Sequence, residues 1–212
     1  MDIKQAIQAH SNQPLTHQLL LSLLQGYKRP NEKIHALLNQ GILESIKKGL
    51  YISGPAVNAR KPESFLLANH ILGPSYVSLD AALSYYGLIP ERVYEVSSMT
   101  VKASRNFKTL LGLFTYIRLP LPYYSFGLQQ VKLAEEQFAM IASPEKALSD
   151  KVITTSGILL RSTKNARSYL LEDLRMEEDV LKNLDTKTMM EWLPDAPKKE
   201  SLLMIIKTIN GL

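Results

Sequence analysis

The chain has 212 residues, 45% of them hydrophobic and 21% charged, with a formal net charge of +5 and no cysteine. That balance fits a soluble globular protein of one large or two smaller domains and argues against disorder or a fibre, while the missing cysteines exclude disulfides, a thiol nucleophile and zinc-thiolate sites and suit a reducing cytoplasm. No apolar run approaches the roughly 18 residues of a membrane helix, and the opening MDIKQAIQAHSNQ lacks the apolar stretch of a secretory signal, so a cytoplasmic protein without membrane contact is expected.

The positive charge is concentrated at one end. Residues 1–61 hold eight Lys or Arg against three acids, residues 62–150 hold seven against eight, and residues 151–212 hold ten against nine. A phosphate backbone rewards local basic excess because each neutralised phosphate releases condensed counterions. A solvated surface is the alternative, and charge alone does not decide between them.

Residues 2–10 place Ile3, Ala6 and Ile7 at helical spacing, and Ser11–Gln13 with Pro14 end that pattern. From Thr16 a second helix carries the stripe Leu19, Leu20, Leu23 and Leu24; it is expected to stop near Gln25, with Gly26 as its left-handed cap. Pro30 suits the first position of a third helix, in which Ile34, Leu37 and Leu38 are apolar before Gly41 stops it. Residues 42–52 then read as a two-stranded hairpin with the basic tip Lys47-Lys48-Gly49. Helix, turn, helix and hairpin in this order describe a winged helix-turn-helix over residues 1–54, for which double-stranded DNA is the first partner to consider.

The candidate DNA-binding residues are Lys28, Arg29, Asn31, Lys33 and His35 at the turn and the start of the third helix, with Lys47 and Lys48 at the hairpin tip. The helix start is the end that such motifs point at base edges, and tip lysines reach adjacent phosphates. Glu32 counts against this reading, because an acid on the groove face repels phosphate unless it accepts from a cytosine amine. A three-helix unit of this kind can also serve as a protein-interaction module that docks a partner without specific DNA binding.

Residues 55–62 form a polar, proline-bearing linker. Beyond it come a helix over 63–72, a short extended piece at Tyr76–Ser78, and a helix from Leu79 to Tyr86 for which Ser78 can serve as cap. Residues 93–133 and the later QFAMIA, rich in β-branched and aromatic residues, predict a small antiparallel sheet. Ser143-Pro144-Glu145 begins a well-formed helix, and helical spacing continues over 165–174, 177–183, 186–193 and 199–212. The expected class is α+β: a winged helix-turn-helix, then a mixed domain over 63–212 with a helical C-terminal part.

YVSLDAALSYYGLIPERVYEVSSMT, followed by GLFTYIRLP and IASPEKALSDKV, resembles the AbiEi family of type IV antitoxins over roughly residues 15–155. The resemblance implies an amino-terminal winged helix-turn-helix that represses its own operon and a carboxy-terminal domain that counters a nucleotidyltransferase-like toxin, functionally rather than by necessary contact. By position, it implies operator DNA contacts at Lys28, Arg29, Asn31, Lys33, Lys47 and Lys48, and puts Tyr76–Pro90 and Ser143–Asp150 in the antitoxin domain. No cofactor is implied.

Enzymatic readings are weaker. The four histidines, at 10, 17, 35 and 70, lack ligand spacing, and no nucleotide-binding, hydrolase or zinc-protease signature occurs. Glu145, Lys146 and Asp150, with Glu135 and Glu136 upstream, are the best carboxylate grouping for magnesium or proton transfer. A capped helix with Asp150 on a partly polar face explains them better. Ser78 and Asp80 read as helix-start residues, and Tyr76, Tyr85, Tyr86, Tyr123 and Tyr124 as half-buried packing rather than a binding surface.

Overall fold

In the computed structural model, which describes residues 2–212, α1 (Ile3–Ala9) buries Ile3, Ala6 and Ile7 on one face. A two-residue strand, β1 (Leu15–Thr16), leads into α2 (His17–Leu23), whose first turn is capped by the Thr16 hydroxyl accepting from the Leu19 amide at 3.2 Å. α2 ends at Leu23 rather than near Gln25, and Gly26 is not left-handed. The Leu24 amide closes the last turn on the Leu20 and Leu21 carbonyls before the glycine is reached.

α3 (Pro30–Asn39) starts on the proline, whose missing N–H costs nothing there, and ends ahead of Gly41 at φ 67°. β2 (Leu43–Lys47) and β3 (Leu50–Ser53) follow, turning through Lys48 and Gly49. β3 lies between β1 and β2 in an antiparallel sheet.

This small sheet has two apolar faces. Leu15 and Leu43 join Ile7, Leu20, Leu24, Ile34 and Leu37 in a core beneath the three helices. Ile46, Leu50 and Ile52 belong instead to the core of the rest of the molecule, because side chains alternate across a strand and the register shifts between Ser45 and Lys47. Each such side chain contributes about 1.5–3 kcal/mol on burial, so the two units are welded along the sheet. The expected linker is correspondingly short of being a free tether. Pro55–Val57 form a tight 3-10 turn, the Ala56 amide donates to Gly41 at 2.9 Å, and Val57 is buried in the N-terminal core. Lys61 pairs with Glu44 of β2 at 2.7 Å.

The large unit begins with α4 (Ser64–Ile71), β4 (Ser75–Val77) and α5 (Leu79–Tyr85). β5 (Val96–Thr100) precedes two hairpins, β6 (Arg105–Thr109) with β7 (Gly112–Arg118) and β8 (Leu128–Ala134) with β9 (Gln137–Ala142), after which comes α6 (Pro144–Thr154). The sheet is neither small nor wholly antiparallel: six strands run in the order β6-β7-β5-β4-β9-β8, with β5/β7 and β4/β9 parallel. Alternation and turn residues mark the hairpins but say nothing of where a hairpin inserts, and β8-β9 docks beside β4 rather than beside β7. All five residues of β5 are buried, as suits a central strand covered on both faces. α4 packs on β4, β5 and β9, α5 on β5 and α6, and α6 on β9.

The C-terminal helices are α7 (Thr163–Ser168), α8 (Glu178–Lys182), α9 (Thr186–Trp192) and α10 (Lys199–Ile209). In place of one regular helix over 165–174, α7 widens into a π-helical turn at Tyr169–Asp173. α10 buries Leu202, Ile205, Ile206 and Ile209 and packs on α6, α7 and α9. Gly127, at φ 60°, allows Trp192 close to α6: a Cβ there would lie 2.6 Å from the indole and 2.8 Å from the Lys146 Cβ. The class is α+β, and among the described residues no helix is long and apolar enough to cross a membrane.

Candidate nucleic-acid interface

The stripe that buries Ile34 and Leu37 turns the opposite side of α3 outward. Lys28, Arg29, Asn31 and His35 are exposed there, as is Lys48 at the hairpin tip. Lys33 is half-buried, its Nζ 5.3 Å from the centre of the exposed Tyr27 ring, within cation–π range. The Arg29 guanidinium donates from one nitrogen, Nη1, to both Glu32 oxygens, at 3.1 and 3.4 Å. Glu32 therefore engages a neighbouring arginine instead of standing alone on the groove face. Among the described residues, Lys28, Lys33, Lys47 and Lys48 take part in no ion pair with a carboxylate.

Lys47 departs from the expectation of a free tip residue. It is half-buried, with Nζ 5.9 Å from the centre of the Phe107 ring on β6. Burial, and then the positive charges of Lys102 and Arg105, push its ammonium below the usual lysine range. The Arg105 guanidinium lies 5.9 Å from the same ring. Lys102, in the turn after β5, and Arg105, on the edge strand β6, thus extend the basic surface of the hairpin onto the large sheet. Their only local signal is the interleaving of cations and a ring in Arg105-Asn106-Phe107-Lys108. Neither has a carboxylate partner among the described residues, although the Lys102 ammonium donates to the Gly73 carbonyl, and both act on Lys47 as repelling like charges. A phosphate placed between them removes that repulsion.

The alternative grouping around Glu145 does not converge. Glu145 accepts from the Ser143 hydroxyl at 2.8 Å and the Asp185 amide at 3.1 Å, while Glu136, in the β8-β9 turn, accepts from Asn12 at 3.3 Å. Lys146 and Asp150 are fully enclosed, so the partly polar face assigned to Asp150 is interior. Lys146 Nζ donates to Asp150 Oδ1 at 2.7 Å and to the Tyr123 carbonyl at 3.0 Å, and sits 3.5 Å from the centre of the Tyr123 ring. Asp150 Oδ2 accepts from the Tyr76 hydroxyl at 3.0 Å and the Ser78 hydroxyl at 2.8 Å. Ser78 accordingly makes no cap bond to α5, contrary to its expected role. Burial pushes the Asp150 carboxyl up and the Lys146 ammonium down, and each opposes the other's drift. Both oxygens of the Asp150 carboxylate are thus engaged within the protein, tying α6 to β4 and to the start of α5.

Nearby, a cavity of about 450 Å³ is lined by Asp80, Glu91, Arg92, Glu95, Lys151 and Asp173 among others. Asp80 pairs with Lys151 at 2.7 Å, Glu91 with Arg175, and Glu95 accepts from Thr115 at 2.5 Å, so three of its four carboxylates are already engaged. No family model matches the chain, and no curated protein matches it.

Proposed function

We propose that this protein is a double-stranded-DNA-binding transcriptional repressor whose residues 1–57 act as a winged helix-turn-helix. The observation that carries the proposal is the set of cations without carboxylate partners among the described residues: Lys28 and Lys33 at α3, Lys48 at the hairpin tip, and Lys47 with Lys102 and Arg105 where the hairpin meets the large sheet. The strand order β1-β3-β2 and the helices preceding the hairpin support it, since in winged helix-turn-helix proteins a helix in the place of α3 enters the major groove and the hairpin meets the flanking backbone. Asn31 and His35 stand beside Lys28 and Arg29 as base-edge contacts, and the lysines of the tip and edge strand neutralise phosphates.

The reading extends to an AbiEi-type antitoxin that counters a nucleotidyltransferase-like toxin, on the strength of the sequence resemblance. Its two most specific segments touch in the fold: Tyr76 and Ser78 bond to Asp150, and Asp80 to Lys151. The test is retention of a duplex taken from upstream of the protein's own gene across a salt series. Tight retention whose log–log slope against salt is steeply negative supports the reading. Salt-independent or absent retention removes it, and leaves the docking module. The antitoxin half is tested separately by co-expression with a neighbouring nucleotidyltransferase gene: relief of growth arrest supports it, and unchanged arrest overturns it.

A further inference from the structure

Arg29 and Lys33 are the two cations of the α3 face whose side chains contact a neighbour, Arg29 through an exposed ion pair and Lys33 through a ring. Arg29, just ahead of α3 with no cap bond of its own, spends a single guanidinium nitrogen on the Glu32 carboxylate. Its Nε and Nη2 stay free for a bidentate contact. Lys33 rests over the ring of Tyr27, an amphipathic side chain that is 42% exposed on the turn. Lys28, Asn31 and His35 on the same surface make no side-chain hydrogen bond or ion pair among the described residues.

We propose that Glu32 and Tyr27 are positioning residues that hold Arg29 and Lys33 in the orientation that discriminates between base sequences. This rests on the DNA-binding reading and adds to it. A free arginine reaches any phosphate within the span of its side chain, whereas one whose fork is fixed on one side presents its remaining donors in one direction, and bidentate contacts to guanine are read by direction. An acid on the DNA-facing side that accepts from arginine rather than from a cytosine amine weakens attachment to all sequences through repulsion. Its presence is explained if the attachment lost is offset by discrimination gained. The Tyr27 ring does the same for Lys33 at lower electrostatic cost, because a cation–π contact keeps the ammonium charged and confines it to one side of the stem.

The experiment uses the full chain and four exposed-site proteins: wild type, Glu32→Gln, Tyr27→Leu and Tyr27→Phe. A duplex library with a randomised core is selected on wild type. Affinities are then measured for the selected duplex and for a scrambled duplex of the same composition. Glu32→Gln is expected to bind the scrambled duplex more tightly, while its ratio of selected to scrambled affinity falls about tenfold, the size of one lost directional contact. Tyr27→Leu is expected to lower the ratio about threefold, with Tyr27→Phe close to wild type because the ring face is kept. If Glu32→Gln tightens both duplexes equally, Glu32 is only a repulsive charge and the inference falls while DNA binding stands. If Tyr27→Phe behaves like Tyr27→Leu, or if wild type selects no sequence, the inference likewise falls alone. If wild type retains neither duplex at any salt, the DNA-binding reading fails and this one with it.

Discussion

In the N-terminal unit Lys28, Lys33 and Lys48 lie at or near the surface without a carboxylate partner, whereas in the large unit Lys146 is fully enclosed and answered by Asp150, a carbonyl and an aromatic ring. The difference separates two uses of one side chain. An enclosed ammonium survives only if every donor is matched, so its surroundings are complete and nothing from outside is needed. An unmatched cation in water costs little alone, but a cluster such as Lys47, Lys102 and Arg105 leaves a repulsion that an anion relieves. Lys47 lies between these cases, partly desolvated yet faced by the like charges of Lys102 and Arg105.

The largest effect expected from breaking this comparison is in the enclosed pair. Asp150→Ala leaves Lys146 buried and unmatched, together with the hydroxyls of Tyr76 and Ser78, and is expected to cost about 3–5 kcal/mol in urea denaturation. The double change Lys146→Met with Asp150→Leu is expected to recover the part due to the orphaned ammonium but not that due to the Tyr76 and Ser78 hydroxyls, while a cost below about 1 kcal/mol for Asp150→Ala would show that the pair does not stabilise the fold. Next in size, Arg29→Ala and Lys33→Ala are each expected to weaken binding to the upstream duplex about tenfold without moving the denaturation curve. A parallel loss of stability would mean that these side chains hold the fold rather than the partner.

Smaller changes are expected at the junction of hairpin and sheet edge. Lys102→Ala and Arg105→Ala should each reduce the log–log salt slope of duplex binding by about 1, and an unchanged slope would confine the interface to the N-terminal unit. The smallest effect sharpens the intermediate case. Lys47→Met removes a desolvated charge from beside two like charges, so it should raise the melting midpoint by about 1–2 °C while weakening duplex binding. The sign follows from the lowered pKa of Lys47: the folded protein holds this proton less firmly than the unfolded chain, so wild-type stability rises with pH up to the ordinary value of 10.5. The gap between the variant and wild type should narrow over that alkaline window, and a gap independent of pH would assign the effect to packing.

Much of the local structure was legible because it is governed by local chemistry. Pro30 and Gly41 bound α3 as expected, and Ser143, whose hydroxyl accepts from the Lys146 amide at 3.2 Å, starts α6 as expected. What escaped depends on residues far apart in the chain. The partners of Asp150 lie 74 and 72 residues upstream, so spacing within α6 cannot distinguish an exposed acid from an enclosed one. The place of Ser78 before a helix suggests that its hydroxyl accepts from an α5 amide, but the side chain turns instead to donate to the buried Asp150 carboxylate, a charge-assisted bond stronger than a neutral cap. Lys47 was assigned to a free tip because nothing in its own segment names Phe107, Lys102 or Arg105 as neighbours. The exposed positions at 31 and 35 are legible for the opposite reason, since helical period decides which side of α3 faces water, and those at 28 and 29 because they are charged residues in a turn.

The two-faced sheet of the N-terminal unit limits how this protein can be taken apart. A piece ending at residue 57 would carry Ile46, Leu50 and Ile52 as a bare apolar stripe, with the Lys47 side chain stripped of its aromatic rest. Grafted onto another partner, such a piece becomes a sticky surface rather than a portable reading head. The boundary that separates two stretches of chain is, in three dimensions, a seam both halves share, and a change on the edge strand reaches the hairpin without crossing a hinge.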